Sequence, residues 1–233
     1  MQSAEDCSRK KRDQLVEFMC TSQAIKSANV CQAFREVPRE RFFPENAREH
    51  AYGDDAYSIG FGQTISQPST LAVMLELLQA RPGHKVLEVG SGCGYVLALL
   101  SRLVGEQGKV FGVEFVKELA ERSKEALEDL RCQNATVIQA DGSDGLPGQA
   151  PFDRILISAA CPFIPKPLFD QLTEGGRVVG PVGDSHTQVM TILIKKKGQL
   201  LKEEFLENYY QFVPLKGKHG FGGLGQGGLG REL

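Results

Sequence analysis

The sequence predicts an α/β fold: a doubly wound, mostly parallel β-sheet preceded by a helical N-terminal extension. From about residue 84, short and continuous apolar segments alternate with amphipathic helical patterns. Strands that are buried on both faces read as such runs, and the helices between them make the crossovers of a parallel sheet. In the first 50 residues apolar side chains instead recur at helical spacing.

The N-terminal helices are predicted from two apolar stripes. The stripes consist of Leu15, Val16, Phe18 and Met19, and of Val30, Ala33, Phe34 and Val37. Pro38 and Pro44 then interrupt the helical pattern, because proline lacks the backbone N–H that a helix interior needs.

The later elements follow in the order expected of an α/β unit. Strands are predicted over residues 84–89, 109–114, 135–139, 152–158, 176–181, 189–195 and 203–214, and helices over 95–104, 116–130 and 166–172. We therefore expect an extension (1–80) that packs on the same domain, an α/β core (81–216) and a tail (217–233). The tail contains eight glycines and is expected to be flexible.

Composition excludes several classes of protein. The chain has 233 residues, with 27 Lys and Arg against 29 Asp and Glu, and this balance argues against general binding to nucleic acid. Apolar runs such as 96–100 are far shorter than the roughly 20 residues that span a bilayer. The first residues lack the apolar segment of a secretory signal, so we expect a cytoplasmic protein without membrane contact.

The cysteines and histidines do not have the spacing of metal ligands. None of the six cysteines forms a C-x-x-C pair, and the four histidines show no H-x-x-x-H pattern. We therefore expect no metal, and thiols that are reduced and mostly fill the core.

A glycine-rich turn follows the first predicted strand of the core. Residues 86–95 read VLEVGSGCGY, with the spacing G-x-G-x-G. Tyr95 stands where the dinucleotide fingerprint needs glycine, and the Gly-Lys-Ser/Thr of an ATP-binding loop is missing. The spacing therefore favours S-adenosylmethionine over NAD or ATP, and the alternative is a plain tight turn between strand and helix.

Two acidic residues lie where this fold would bind a nucleoside. Glu114 closes the second core strand and Asp141 follows the third. A carboxylate at the first position can accept hydrogen bonds from a ribose diol, and one at the second from an adenine amino group. Each of them, taken alone, is also compatible with a solvated loop acid.

A third segment lies before the core, at residues 59–68 (IGFGQTISQP). Ser66 precedes Gln67 and Pro68, so it can be read as the cap of a helix that begins at the proline. No G-x-S-x-G motif identifies a nucleophilic serine.

These segments together resemble the protein-L-isoaspartate O-methyltransferase family over residues 12–221. The matching stretches are 37–44 (VPRERFFP), 51–54 (AYGD) with 59–68, the glycine loop, 151–153 (PFD), 171–177 (QLTEGGR) and 212–215 (FVPL). Tyr57 and Ser58 depart from the usual Leu-Pro of the family, and Phe221 stands where relatives often have tryptophan.

The resemblance implies the Rossmann-like fold of a class I methyltransferase and a repair activity. Such an enzyme methylates the free α-carboxylate of L-isoaspartyl, and in some cases D-aspartyl, residues in age-damaged proteins, and the ester then closes to a succinimide. S-adenosylmethionine is the methyl donor and S-adenosyl-L-homocysteine the product. We expect a monomer that acts on isoaspartyl proteins. The alternatives are a methyltransferase for another substrate and a catalytically silent relative.

The resemblance also assigns roles to residues of this sequence. Ser66 is expected at the catalytic centre, and the first 80 residues are expected on the substrate side. The expected cofactor-binding residues are Thr64, Ile65, Gly90, Ser91, Gly92, Gly94, Glu114, Asp141 and Gly142. The expected substrate-binding residues are Ile59, Thr64, Ser66, Val213, Pro214 and Leu215.

Overall fold

The computed structural model describes residues 4–221 and 228–229, arranged around a central sheet. The helices are α1 (Ala4–Thr21), α2 (Ala28–Glu36), α3 (Pro68–Leu78), α4 (Tyr95–Val104), α5 (Lys117–Asp129) and α6 (Lys166–Asp170). The strands are β1 (Tyr57–Gly60), β2 (Gln63–Ile65), β3 (Lys85–Val89), β4 (Lys109–Glu114), β5 (Ala135–Gln139), β6 (Phe152–Ile157), β7 (Ile164–Pro165), β8 (Leu172–Gly183), β9 (Gln188–Lys196), β10 (Gln199–Tyr210) and β11 (Gly228–Leu229).

Seven strands form the central sheet in the order β10-β9-β8-β6-β3-β4-β5. The five strands from β8 to β5 run parallel, while β9 and β10 add an antiparallel edge. The chain builds outward from β3 to β4 and β5, and then crosses to the other side of β3 to form β6. Ligands of open α/β sheets bind at the carboxyl ends of the strands beside such a switch point, which here lies directly after β3.

Both faces of the sheet are covered, which confirms the doubly wound prediction. Val86 and Val110 belong to the core that is shared with the N-terminal helices. Their neighbours Leu87 and Phe111 point to the opposite core, which contains Leu168 of α6. Each strand therefore has apolar residues on two faces, because side chains alternate along a strand.

The N-terminal extension contributes apolar residues to the core on one face of the sheet, and it contains more than helices. Two 3₁₀ segments, Arg39–Phe42 and Glu45–His50, follow the prolines that end the helical pattern. A small antiparallel hairpin, β1–β2, then precedes α3. The sequence patterns do not predict this hairpin.

The last third of the chain departs from the predicted boundaries. Helix α6 ends at Asp170, because β8 begins at Leu172 and continues for 12 residues. Strand β10 begins at Gln199 and ends at Tyr210, so residues 211–214 are not part of it. Within the part of the chain that the structure describes, no helix is long and apolar enough to cross a membrane.

The predicted flexible tail (217–233) is described only in part. Residues 217–221 fold back onto the loop after β5, and Gly228–Leu229 pair with β7. The rest of the tail lies outside the described residues, so the flexibility of the whole segment stays a prediction.

Candidate active site

The glycine loop and Glu114 form the floor of the site. Gly90, Gly92 and Gly94 all have positive φ angles, a conformation that glycine adopts without strain. A Cβ at Gly94 would also collide with Ser123 of α5. The carboxylate of Glu114 is buried and accepts 2.8 Å hydrogen bonds from the backbone N–H groups of Gly92 and Val116. Glu114 thus ties the loop after β3 to the loop after β4.

A small cavity of about 40 Å³ opens over this floor, at the carboxyl ends of the parallel strands. Its lining contains eight of the predicted site residues: Thr64, Gly90, Gly92, Glu114, Gly142, Val213, Pro214 and Leu215. The structure therefore brings together segments that are up to about 150 residues apart in the sequence. The lining also includes Gln63, Phe115, Ser158, Ala159 and Lys216, which the sequence analysis missed.

Phe115 is the most informative of the missed residues. Its side chain is 48% exposed although it is a large apolar group, and it directly follows Glu114. An aromatic ring next to a diol-binding acid can stack on a planar base. The sequence contains one signal for this residue, because an apolar side chain immediately follows the acid that ends the strand.

Asp141 connects the loop after β5 to the tail. It is not among the residues that line the cavity. Its carboxylate accepts hydrogen bonds from the backbone and hydroxyl of Ser143, and from the backbone of Lys218 in the tail. Although burial opposes the change, these hydrogen bonds lower the pKa of Asp141. The carboxylate therefore fastens the tail to the loop after β5, and contact with adenine stays a prediction.

Four further predicted residues lie behind the site surface. Ile59 and Ile65 are buried, and the Ile59 side chain packs next to Gly92. Ser91 is buried within the glycine loop, and Gly94 is the N-cap of α4. These residues shape the site from beneath.

Ser66 lies on the wall of a second, larger groove of about 630 Å³. The groove runs between the end of α1, the length of α3 and the end of β10. Two exposed aromatic side chains, Phe18 and Tyr209, are part of its wall. Thr64 lines both this groove and the cavity over the glycine loop, so the two spaces meet at the Thr64–Ser66 segment.

Ser66 does not cap α3, which removes the alternative that the sequence left open. The N-cap residue is Gln67, and its side chain makes no capping hydrogen bond. Asp54 takes this role instead, because its carboxylate accepts from the Ser69 backbone at 2.8 Å and from the Gln67 side chain at 3.0 Å. The Ser66 side chain is thus not needed to begin the helix.

Arg39 holds the Ser66 backbone from within the protein. The Arg39 side chain is 1% exposed, and it donates to the carbonyl oxygens of Ala51 at 3.0 Å and Ser66 at 2.8 Å. Its guanidinium also lies over the rings of Phe43 and Tyr95, at 5.4 and 4.9 Å from their centroids. Burial lowers the pKa of Arg39, but arginine stays charged at neutral pH.

Glu88 is a buried acid directly beneath the glycine loop. Its Oε1 accepts from the Ser158 hydroxyl at 2.7 Å, and its Oε2 has no hydrogen-bond partner among the described residues. Burial raises the pKa of Glu88 to about 8, and the charge of nearby Glu114 acts in the same direction. Glu88 is therefore mostly protonated at neutral pH. Among the residues that the structure describes, no group of three or more His, Cys, Asp or Glu side chains is arranged to hold a metal ion.

Comparison with known proteins agrees with this arrangement. The family described as protein-L-isoaspartate(D-aspartate) O-methyltransferase matches residues 10–220. A protein-L-isoaspartate O-methyltransferase of Archaeoglobus fulgidus is 44% identical over 91% of this chain and 95% of its own length. A protein of the same name from Roseiflexus is 46% identical over 86% of this chain and 90% of its own.

Solved structures show the same similarity. A protein-L-isoaspartate O-methyltransferase matches with a TM-score of 0.81 and 32% identity, over 89% of this chain and 67% of that one. A Plasmodium falciparum protein with the same designation, solved with S-adenosyl-L-homocysteine, matches with a TM-score of 0.78 and 26% identity. That match covers 88% of this chain and 98% of the other.

We predict that Arg39→Lys destabilises the protein. Lysine keeps the charge, but a single ammonium group cannot reach both carbonyl oxygens while it packs between two rings. Hydrogen bonds from charged donors contribute about 1.5–3 kcal/mol each, so a loss of that size is expected in urea unfolding. The matched control is Arg41→Lys in the same 3₁₀ segment. Its side chain is 48% exposed, and a change within about 0.5 kcal/mol is expected. Equal effects of the two substitutions would contradict the role of Arg39.

We also predict that Glu88 makes stability fall as the pH rises. Its pKa is higher in the folded protein than in the unfolded chain, so the folded state binds the extra proton. The stabilisation is complete below the ordinary glutamate pKa and is lost as the pH rises to about 8. The slope is on the order of 1 kcal/mol per pH unit.

The test is urea unfolding at several pH values. The free energy of unfolding should depend less on pH in Glu88→Gln than in the wild type. Glu118→Gln, at an exposed site on α5, should keep the wild-type slope, and parallel profiles for all three proteins would refute the prediction.

Proposed function

The chain belongs to the protein-L-isoaspartate(D-aspartate) O-methyltransferase family, and from this premise we propose how its residues carry out the reaction. The enzyme methylates isoaspartyl residues in damaged proteins with S-adenosylmethionine, which initiates their repair. The observation that carries the proposal is the meeting of the cavity and the groove at Thr64. A methyl donor in the first space faces a polypeptide in the second.

The residues around the cavity fit the cofactor. The glycine loop lets a ligand approach the main chain, as in other nucleotide sites at this position of the fold. Glu114 accepts hydrogen bonds from two backbone N–H groups. A carboxylate offers about four lone-pair positions, so Glu114 can still accept hydrogen bonds from a ribose diol. We assign the adenine side to Phe115 and Gly142. Asp141 supports this side through the loop and tail that it connects.

The methyl transfer itself needs no general base. When bound, S-adenosylmethionine supplies a methyl group on a positively charged sulfur. The substrate's α-carboxylate is already ionised near pH 7, because carboxyl pKa values are about 4. Its oxygen forms the new bond to the methyl carbon while the methyl–sulfur bond breaks. The protein therefore contributes mainly orientation and exclusion of water.

We assign that orientation to Ser66 and its neighbour Thr64. The Ser66 hydroxyl can donate one hydrogen bond to the substrate carboxylate and direct the attacking oxygen toward the cavity. Arg39 fixes the main chain on which this hydroxyl stands, through the Ser66 carbonyl. Val213, Pro214 and Leu215 also line the cavity and are proposed to flank the isoaspartyl residue.

The polypeptide around the isoaspartyl residue is proposed to lie in the groove. A volume of about 630 Å³ admits several residues of an extended chain. Phe18 and Tyr209 would contact the flanking side chains. In this proposal residues 1–80 supply most of the substrate side, with the end of β10 completing the groove, and residues 81–216 supply most of the cofactor site. We further propose a cytoplasmic monomer that does not act on nucleic acid.

We predict methyl transfer only to the damaged form of a peptide. Two synthetic peptides, identical except for isoaspartate or normal aspartate at one position, are incubated with labelled S-adenosylmethionine. Only the isoaspartyl peptide should gain a base-labile methyl ester, because its α-carboxylate is free and correctly placed. A third peptide with D-aspartate tests the wider specificity.

Two results would contradict the proposed function. Equal labelling of both peptides would show that the site does not distinguish the isoaspartyl linkage. No transfer to either peptide, with the cofactor still bound, would indicate another substrate class or a catalytically silent relative.

We predict that Ser66→Ala reduces turnover far more than cofactor affinity. Removal of a hydrogen-bond donor that acts at the reacting group should lower kcat by at least about tenfold. The Kd for S-adenosylmethionine, measured by calorimetry, should change by less than about twofold, because Ser66 lines the groove and not the cavity. Ser185→Ala, on an exposed loop, is the control. An equal loss of both quantities in Ser66→Ala would point to a structural role.

A further inference from the structure

Two cysteine side chains face each other at the junction of α1 and α2. Cys20 is in the last turn of α1, Cys31 is in α2, and their sulfur atoms are 3.7 Å apart. Both thiols are free and partly exposed. A disulfide bond is about 2 Å long, so the sulfur atoms need to approach by less than about 2 Å to form one.

The fold itself holds these thiols together. Their sequence neighbours Met19 and Val30 are fully buried, which fixes the position of each helix. The connection between the helices is anchored by Glu76 of α3, whose carboxylate accepts from the backbones of Lys26 and Ser27 at 2.9 and 2.8 Å. The short distance is thus a property of the packed helix pair.

The two thiols differ in their surroundings. Arg35 lies one turn after Cys31, and a hydrogen bond with the Cys31 thiol raises the pKa of the arginine. The thiolate is the reactive form of cysteine. Burial raises the pKa of Cys20, and its contact with Cys31 adds to the effect. Cys20 is therefore hard to ionise, so we assign the first attack to Cys31 and the second, resolving attack to Cys20.

We propose that Cys20 and Cys31 form a reversible disulfide by exchange with a low-molecular-weight disulfide such as oxidised glutathione. The Cys31 thiolate attacks one glutathione sulfur and releases the other glutathione as a thiolate. Cys20 then loses its proton to water and attacks the Cys31 sulfur, which releases the second glutathione. Two protein thiols are oxidised, and one oxidised glutathione is reduced to two thiols.

The bond would link the end of α1 to α2 beside the groove. The loop that the bond closes contains four residues of the groove wall: Ser22, Gln23, Ala24 and Lys26. The exchange uses neither the methyl donor nor the polypeptide substrate, so the inference is independent of the methyl transfer. In reducing compartments, disulfides of this kind are transient and respond to the redox state.

The test is equilibration of the folded protein with mixtures of reduced and oxidised glutathione. Remaining thiols are alkylated, and the products are identified by intact mass and peptide mapping. We expect a loss of two hydrogen atoms, a peptide pair linked through Cys20 and Cys31, and full reversal by a reducing agent. The equilibrium constant for the bond should exceed that of the urea-unfolded chain by at least about tenfold, because the fold preorganises the pair.

Single substitutions separate the roles of the two thiols. Cys20→Ser should retain glutathione on Cys31, whereas Cys31→Ser should leave Cys20 largely unmodified. Cys7→Ser, which removes an exposed thiol of α1, should form the Cys20–Cys31 bond like the wild type. The proposal is overturned if both thiols carry glutathione without a bond between them, or if the folded and unfolded chains have the same equilibrium constant.

Discussion

The buried guanidinium of Arg39 is the interaction on which the geometry of the site depends. A cation inside a protein is costly unless its donors are bound. Here Nε and Nη2 of Arg39 donate to two carbonyl oxygens and two aromatic rings flank the guanidinium, while Nη1 has no hydrogen-bond partner among the described residues. One carbonyl belongs to Ser66, and one ring belongs to Tyr95, the first residue of the helix that follows the glycine loop. A single side chain of the N-terminal extension therefore sets the distance between the substrate-side segment and the cofactor loop.

Carboxylates connect the loops in the same manner at four other places. Each accepts hydrogen bonds from at least one backbone N–H of a distant or adjoining loop: Asp54 at the start of α3, Glu76 between α1 and α2, Glu114 at the glycine loop and Asp141 at the tail. Backbone N–H groups in irregular segments need such acceptors when they are removed from water. The acids of this chain thus supply hydrogen-bond acceptors that these irregular segments need.

The sequence predicts well what depends on neighbouring residues. The parallel core strands were found because each is a short apolar run, and the glycine loop and Glu114 because they directly follow such runs. The β1–β2 hairpin was missed because its strands have only four and three residues. The hydrogen-bond partners of Asp141 could not be predicted either, because Lys218 is 77 residues away in the sequence. The contact of Arg39 with Ser66 likewise spans 27 residues that show no common pattern.

In the proposed mechanism, the atoms that react and the acid that titrates near neutral pH lie at different places. The proposed nucleophile is a carboxylate of the substrate that is already ionised, and the hydroxyl of Ser66 does not ionise near neutral pH. No side chain that we place at the reacting atoms must therefore change its protonation state during methyl transfer. The acid with a pKa near neutrality, Glu88, lies two residues before Gly90, where it supports the loop through Ser158. A change of pH in this range therefore acts on the strand that positions the loop, whereas the bond-forming step follows the position of the substrate.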